Sequence, residues 1–280
     1  MSQGQGQGRG QEYKGVLFDI GGVLLASPLT VIQGYSRSLG LPGDYLNVLI
    51  TALGHDSAWA RFERGELDLW SFYTVWGDEL SDTTRGRVAY SAWARKRGRE
   101  PEEVPQRVRV DARELFGMMM RQAGTYDPYI LQAVKSLRRL GKHRVVAVTN
   151  NYTAAYDEVL SAALSGDVRS QQEIDFLGWS HGPAPPSMRA LFDDFVDSSE
   201  AGVRKPERAI FDIALARNGL KARECVFLDD IGENLKTVRG LGVRTVQVKV
   251  GGTREAVREL EEILGMRLLD EDGEGAKARL

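Results

Sequence analysis

Four short segments, KGVLFDI, HRVVAVTN, ECVFLDD and VRTVQVKV, are almost wholly apolar and rich in β-branched residues, and turn or charge signals bound each one. Runs of this length with no polar face predict strands covered on both sides. Helical patterns precede the last three: PYILQAVKSLRRL, PERAIFDIALARNGL and ENLKTVRGLG. Alternation of this kind predicts right-handed crossovers, an α/β class and a mostly parallel sheet. A weaker candidate strand, FDDFVDSS, falls between the second and third, and GGTREAVRELEEILGMRLLD predicts a closing amphipathic helix.

Residues 28–124 break the rhythm. They carry helix-compatible stretches with many aromatics (Trp59, Phe62, Trp70, Phe72, Tyr73, Trp76, Trp93) and no convincing strand, so they read as a helical cap. The core is then discontinuous, 13–27 with 125–270. The methionines of ELFGMMMR read as core filler, and the aromatics as packing. Residues 164–189, rich in Gly, Pro and Ser, read as a loop excursion from the sheet. Residues 1–12 and 271–280 read as polar tails, the first disordered, and ARKRGREPEE as a solvated helix end.

Of the 280 residues 42% are hydrophobic and 27% charged, enough apolar material for a sizeable core. A net charge of -2 exerts no general pull on nucleic acid or anionic lipid, which leaves small solutes as the expected partners. No apolar stretch approaches a membrane span or signal peptide. The one cysteine, Cys225, lies in an apolar run, so no internal disulfide can form and a reducing, cytoplasmic setting fits. His55, His143 and His181 lack metal-ligand spacing. A homodimer is left open.

In a parallel sheet the carboxyl ends of the strands lie along one edge, and ligands bind outside that edge. Asp19 ends the first strand, with Gly21 and Gly22 just behind it. Thr149 and Asn150 end HRVVAVTN, and Asp229 and Asp230 end ECVFLDD. Lys205, in GVRKPE, precedes a helix whose expected first residue is Pro206. Each has a plainer reading, as helix cap, turn, surface lysine or tight bend; their order and placement together point to one pocket of carboxylates, a hydroxyl and an ammonium.

The texts VLFDIGGVL, VTN, GVRKPE and VFLDDIGENLKTVRGLGVRT closely resemble the motifs of the haloacid dehalogenase-like hydrolase superfamily, in particular the phosphatase domain of soluble epoxide hydrolase and capped sugar-phosphate phosphatases. The resemblance implies a Rossmann-like core with the cap inserted after the first motif. It implies a Mg²⁺-dependent phosphatase acting on a small phosphorylated metabolite, such as a sugar phosphate. Asp19 would be the nucleophile; Asp19, Asp230 and the carbonyl of Gly21 would ligate Mg²⁺, with Asp229 supporting the ion or its waters. Thr149 and Lys205 would act on the phosphate, bound also by Gly21, Gly22 and Asn150. Most phosphatases of this superfamily carry a second aspartate, the general acid, two residues after the nucleophile; here that residue is Gly21. Either the leaving group needs little protonation, or a cap residue such as Glu63, His55 or Asp56 substitutes, or turnover is slow or lost. The alternatives are therefore a catalytically silent binder of phosphate ligands and a dehalogenase that uses Asp19 without metal.

Overall fold

The computed structural model describes residues 12–122 and 125–270. Except for Glu12, the tails expected at the two ends lie outside them. In chain order the elements are β1 (Gly15–Phe18), α1 (Leu29–Ser38), α2 (Tyr45–Leu53), α3 (Ala58–Glu63), α4 (Leu69–Ser81), α5 (Thr83–Lys96), α6 (Ala112–Gln122), α7 (Pro128–Leu140), β2 (Arg144–Thr149), α8 (Thr153–Leu164), α9 (Val168–Leu177), α10 (Pro186–Arg189), β3 (Asp194–Asp197), α11 (Ser198–Ala201), α12 (Arg208–Arg217), β4 (Cys225–Asp229), α13 (Gly232–Gly240), β5 (Arg244–Gln247) and α14 (Thr253–Leu264).

The five strands form one parallel sheet in the order β3-β2-β1-β4-β5. All five expected strands are present, FDDFVDSS as the edge strand β3. Their period of two sorts the apolar side chains onto two faces. Val16, Phe18, Val145, Ala147, Val226 and Leu228 pack with α7 and α14, whereas Leu17, Val146, Val148 and Phe227 pack with α12 and α13. Burying each Val, Leu or Phe among them contributes about 1.5–3 kcal/mol, which is why near-continuous apolar runs are needed. The chain moves outward from β1 to β3 and then returns to start β4 on the other side of β1. That reversal opens a crevice beyond the carboxyl ends of β1 and β4.

Helices α1 to α6 leave the sheet after β1 and form the cap, around a separate apolar cluster. The Phe62 and Phe72 rings stack at 4.0 Å and Phe72 stacks on Trp76 at 5.0 Å, while Phe116 meets Phe62 and Phe72 edge-on. The cap rejoins the core beside its point of departure: Leu25 bridges Tyr126, and the Asp127 N–H donates to Leu24 O.

Within residues 164–189, expected as loop, the ten-residue helix α9 forms. Asp167 caps it by accepting from the Ser170 N–H, and Ile174 and Leu177, one turn apart, bury in the cap cluster with Trp179. Gly117 permits this contact, because a Cβ there would stand 2.4 Å from the Phe176 ring. Pro206 is also not the first residue of its helix; α12 begins at Arg208, with Glu207 at the N-cap.

Candidate active site

Register brings the first two carboxylates together. Phe18 is level with Leu228, so Asp19 and Asp229 leave neighbouring strands at one height, and the Asp19 N–H donates to Leu228 O at 2.9 Å. The Lys205 ammonium lies between them, with Nζ 2.7 Å from Asp19 Oδ1 and 2.9 Å from Asp229 Oδ2. All three side chains are buried, Lys205 to 1% exposure. The Ile20 N–H also donates to Asp19 Oδ1 at 2.6 Å. Asp229 accepts from the Ile231 N–H at 2.7 Å and, through both oxygens, from Asn234 Nδ2 at 3.1 Å.

Asp230 completes the group: ligand atoms of Asp19, Asp229 and Asp230 lie within 4.8 Å of one another. Its Oδ1 is buried without a hydrogen-bond partner. Gly22, at φ +80°, makes room for it, since a Cβ there would stand 2.2 Å from Asp230 Oδ2. Burial, and then the neighbouring Asp229, push the Asp230 carboxyl up to about 6, with Lys205 opposing. Burial likewise raises Asp19; Lys205 opposes this, and Asp229 and Asp230 add to it. Burial lowers the Lys205 ammonium, but Asp19 and Asp229 more than reverse that and leave it raised. Three carboxylates face one ammonium, so the donor set is hard oxygen with excess negative charge and an unsatisfied oxygen. That set fits a divalent cation such as Mg²⁺.

The other expected site residues fall on the same edge, with different contacts. Thr149, buried at the end of β2, donates its hydroxyl to Asn150 O at 3.2 Å. Asn150, expected to contact substrate, lines the pocket and also holds Lys205: its Oδ1 accepts from the Lys205 N–H at 2.8 Å, and its Nδ2 donates to Lys205 O at 3.1 Å and to Glu63 Oε2 at 3.3 Å. Gly21 lies in the turn behind Asp19 and lines a pocket.

Of the three cap residues weighed as acids, Glu63 is buried, but both Arg204 Nε and Nη2 reach its Oε2 at 2.5 Å. The Ser198 hydroxyl donates to Glu63 O. Glu63 therefore clamps α3 to the core loops. His55 is exposed and pairs with Asp56 at 3.2 Å and Glu207 at 3.3 Å. Asn234 and Arg204 were not anticipated. Asn234 sits five residues beyond Asp229, in the first turn of α13, and that spacing was the available signal.

The pocket beside Asp19 holds about 590 Å³ of free space, including its solvent-facing mouth. Ile20, Leu25, Met119, Met120, Met188 and Phe195 supply apolar wall. Met119 and Met120 thus face a cavity as well as the cap core, which the core-filler reading did not foresee. Thr149, Asn150, Asn151 and Tyr152 supply its polar side chains. Among the described residues no Asp, Glu, His, Lys or Arg lines it. None of the seven cap aromatics lines it either; they pack on one another or under arginines, as where Arg169 covers Trp70 at 3.7 Å.

The family model for haloacid dehalogenase-like hydrolases matches residues 13–242. Acyl-CoA dehydrogenase family member 10 of Mus musculus is 29% identical over 260 residues, which are 92% of this chain and 20% of that protein. Bifunctional epoxide hydrolase 2 of Sus scrofa is 27% identical over 257 residues, 91% of this chain and 40% of that protein. The chain thus spans less than half the length of these relatives. A HAD-like family hydrolase from Porphyromonas gingivalis shares the fold at TM-score 0.52 and 18% identity, over 89% of this chain and 98% of that one. Among the described residues no helix is long and apolar enough to cross a membrane.

Proposed function

The chain belongs to the haloacid dehalogenase-like hydrolases, and from that premise we propose that it is a Mg²⁺-dependent phosphatase acting on a small phosphomonoester through an aspartyl-phosphate. The observation that carries this reading is Lys205 held between Asp19 and Asp229, beside an Asp230 oxygen with no partner. A metal-independent dehalogenase could use Asp229 to hold Lys205 but would have no use for the unpartnered oxygen of Asp230.

Asp19 and Asp230 would ligate the ion directly, with the Gly21 carbonyl, and Asp229 would support it. When bound, the ion offsets the repulsion between Asp19 and an incoming phosphate, about 4 kcal/mol for unit charges 4 Å apart at an effective dielectric of 20. Lys205 holds the phosphate against Asp19 as a fixed positive charge. The Thr149 hydroxyl turns from Asn150 O to a phosphate oxygen; the Gly22 N–H is already given to Leu25 O at 2.9 Å, so a backbone N–H for the anion would come from its neighbour Gly21. An Asp19 carboxylate oxygen then attacks phosphorus in line and the ester oxygen departs; water hydrolyses the resulting acyl phosphate. Asn150 and Asn234 act one step back, aiming Lys205 and Asp229.

Phosphate release from p-nitrophenyl phosphate and a sugar-phosphate panel, with Mg²⁺ or with chelator and with Asp19→Asn as control, tests the reading. Metal-dependent release lost in the variant supports it. Tight binding of phosphate compounds without release points to a silent binder, and chloride release from a haloacid that ignores chelator points to a dehalogenase.

A further inference from the structure

An ester oxygen leaving into the pocket beside Asp19 finds no acid there. The polar side chains lining that pocket are mostly engaged: Asn150 with Lys205 and Glu63, Asn151 with Asp197 at 2.8 Å and Thr153 at 3.4 Å, and Thr149 with its neighbour's carbonyl. Among the described residues Tyr152 is the one titratable residue of the lining, and burial holds its phenol well above the ordinary value. Glu63 lies outside the lining, fixed by two guanidinium nitrogens. His181 lines only the adjoining surface groove, with Trp179 and Pro185. A Cβ at Gly21 would meet nothing within 4 Å, and its φ is not positive, so the space where a side chain behind Asp19 would stand is open.

Resting on the phosphatase reading, we propose that the substrate is the phosphate of an apolar organic acid, an acyl or aryl phosphate whose leaving oxygen departs as an anion without being protonated. An alkoxide is about as basic as hydroxide, far more basic than a carboxylate, near 4, or a phenolate, near 10. Only the last two leave readily without an acid. The walls choose the body of the molecule: apolar side chains without a cation suit neither a second phosphate nor the hydroxyls of a sugar.

The bonds balance without a further reactant. As the Asp19 oxygen bonds to phosphorus, the bond from phosphorus to the ester oxygen breaks, and its electron pair leaves on the carboxylate or phenolate. Water then bonds to phosphorus and the electron pair of the P–Oδ bond returns to Asp19. One water proton stays on orthophosphate and the other passes to solvent.

The test measures kcat/KM of the Mg²⁺-loaded protein on octanoyl phosphate, octyl phosphate and a series of substituted phenyl phosphates. A steep fall along the phenyl series as the leaving group becomes more basic is expected, with octyl phosphate at least about 10³-fold below octanoyl phosphate. Preference between the octanoyl and phenyl arms separates acyl from aryl substrates. Gly21→Asp should raise the ratio of octyl to octanoyl turnover by about 10²-fold or more. A flat phenyl series in the unaltered protein, or octyl phosphate within tenfold of octanoyl phosphate, overturns the inference; if His181→Ala then makes the series steep, that imidazole is the proton donor. No phosphate from these compounds while a sugar phosphate is hydrolysed overturns the inference and leaves the phosphatase reading standing; no phosphate from these compounds or from the sugar-phosphate panel overturns the phosphatase reading itself.

Discussion

At one end of the candidate site, ligand atoms of Asp19, Asp229 and Asp230 gather within 4.8 Å at the ends of β1 and β4, Lys205 pairs with the first two, and backbone N–H groups or Asn234 hold Asp19 and Asp229 from behind. At the other end, Met119 and Met120 come from the cap, and Pro183, Ala184 and Met188 from the segment behind α9. The charged end is oriented by strand register, so a displacement of one residue would destroy it. The apolar end needs only volume and hydrophobicity, which many side chains supply. Chemistry and selectivity can therefore change independently, and substitutions at the two ends should differ in kind.

The largest contrast comes from Asp19→Asn. Turnover should fall by about 10³-fold or more while the fold persists, as followed by phosphate release and thermal denaturation. Retained turnover would erase the distinction between the two ends. Asn234→Ala removes the amide that meets both Asp229 oxygens and should weaken Mg²⁺ affinity by about 10–100-fold, read from the Mg²⁺ dependence of activity. Met119→Ala, at the apolar end, should raise KM for an apolar phosphate about tenfold with little change in kcat, since it removes buried wall and no charge. A fall in kcat comparable to that of Asp19→Asn would show that the wall also positions the phosphate.

The smallest effect lies away from both ends, at His143 before β2. Its Nδ1 is buried without a partner, and burial, then Lys142, lower its pKa. The folded state thus prefers the neutral ring: its stability contribution is complete above the unfolded value of about 6.5 and is lost as pH falls through the folded pKa. His143→Gln should flatten the change in urea midpoint between pH 7.5 and pH 5.5. An unchanged slope would move that sensitivity to the carboxylates of the site.

The strands were legible because an apolar run with a polar terminus is complete within a few residues. Asp19, Asp229 and Lys205 were legible as a group because parallel strands share one carboxyl edge. The contact between Asn150 and the Lys205 backbone was not. A polar residue at a strand end reads as facing the ligand, yet its amide is occupied by the Lys205 backbone 55 positions away. The clamp between Glu63 and Arg204 joins residues 141 positions apart and leaves no local mark. Helix α9 was hidden by its polar surface, VRSQQEIDFL, in which Ile174, Phe176 and Leu177 carry the packing. The methionines of α6 had the right period for a core, and no pattern says whether the buried face meets atoms or a cavity.

By itself, the order of short apolar runs and their terminal residues determined a parallel α/β sheet, an inserted helical cap and the carboxylate edge, since hydrophobic period and strand polarity are properties of neighbouring residues. The tertiary structure alone decided that α9 joins the cap, that Asn150 holds the Lys205 backbone and that the pocket beyond Gly21 is largely apolar and, among the described residues, lined by no carboxylic acid. Those outcomes depend on which distant segments meet, and only the packing of the whole chain selects them.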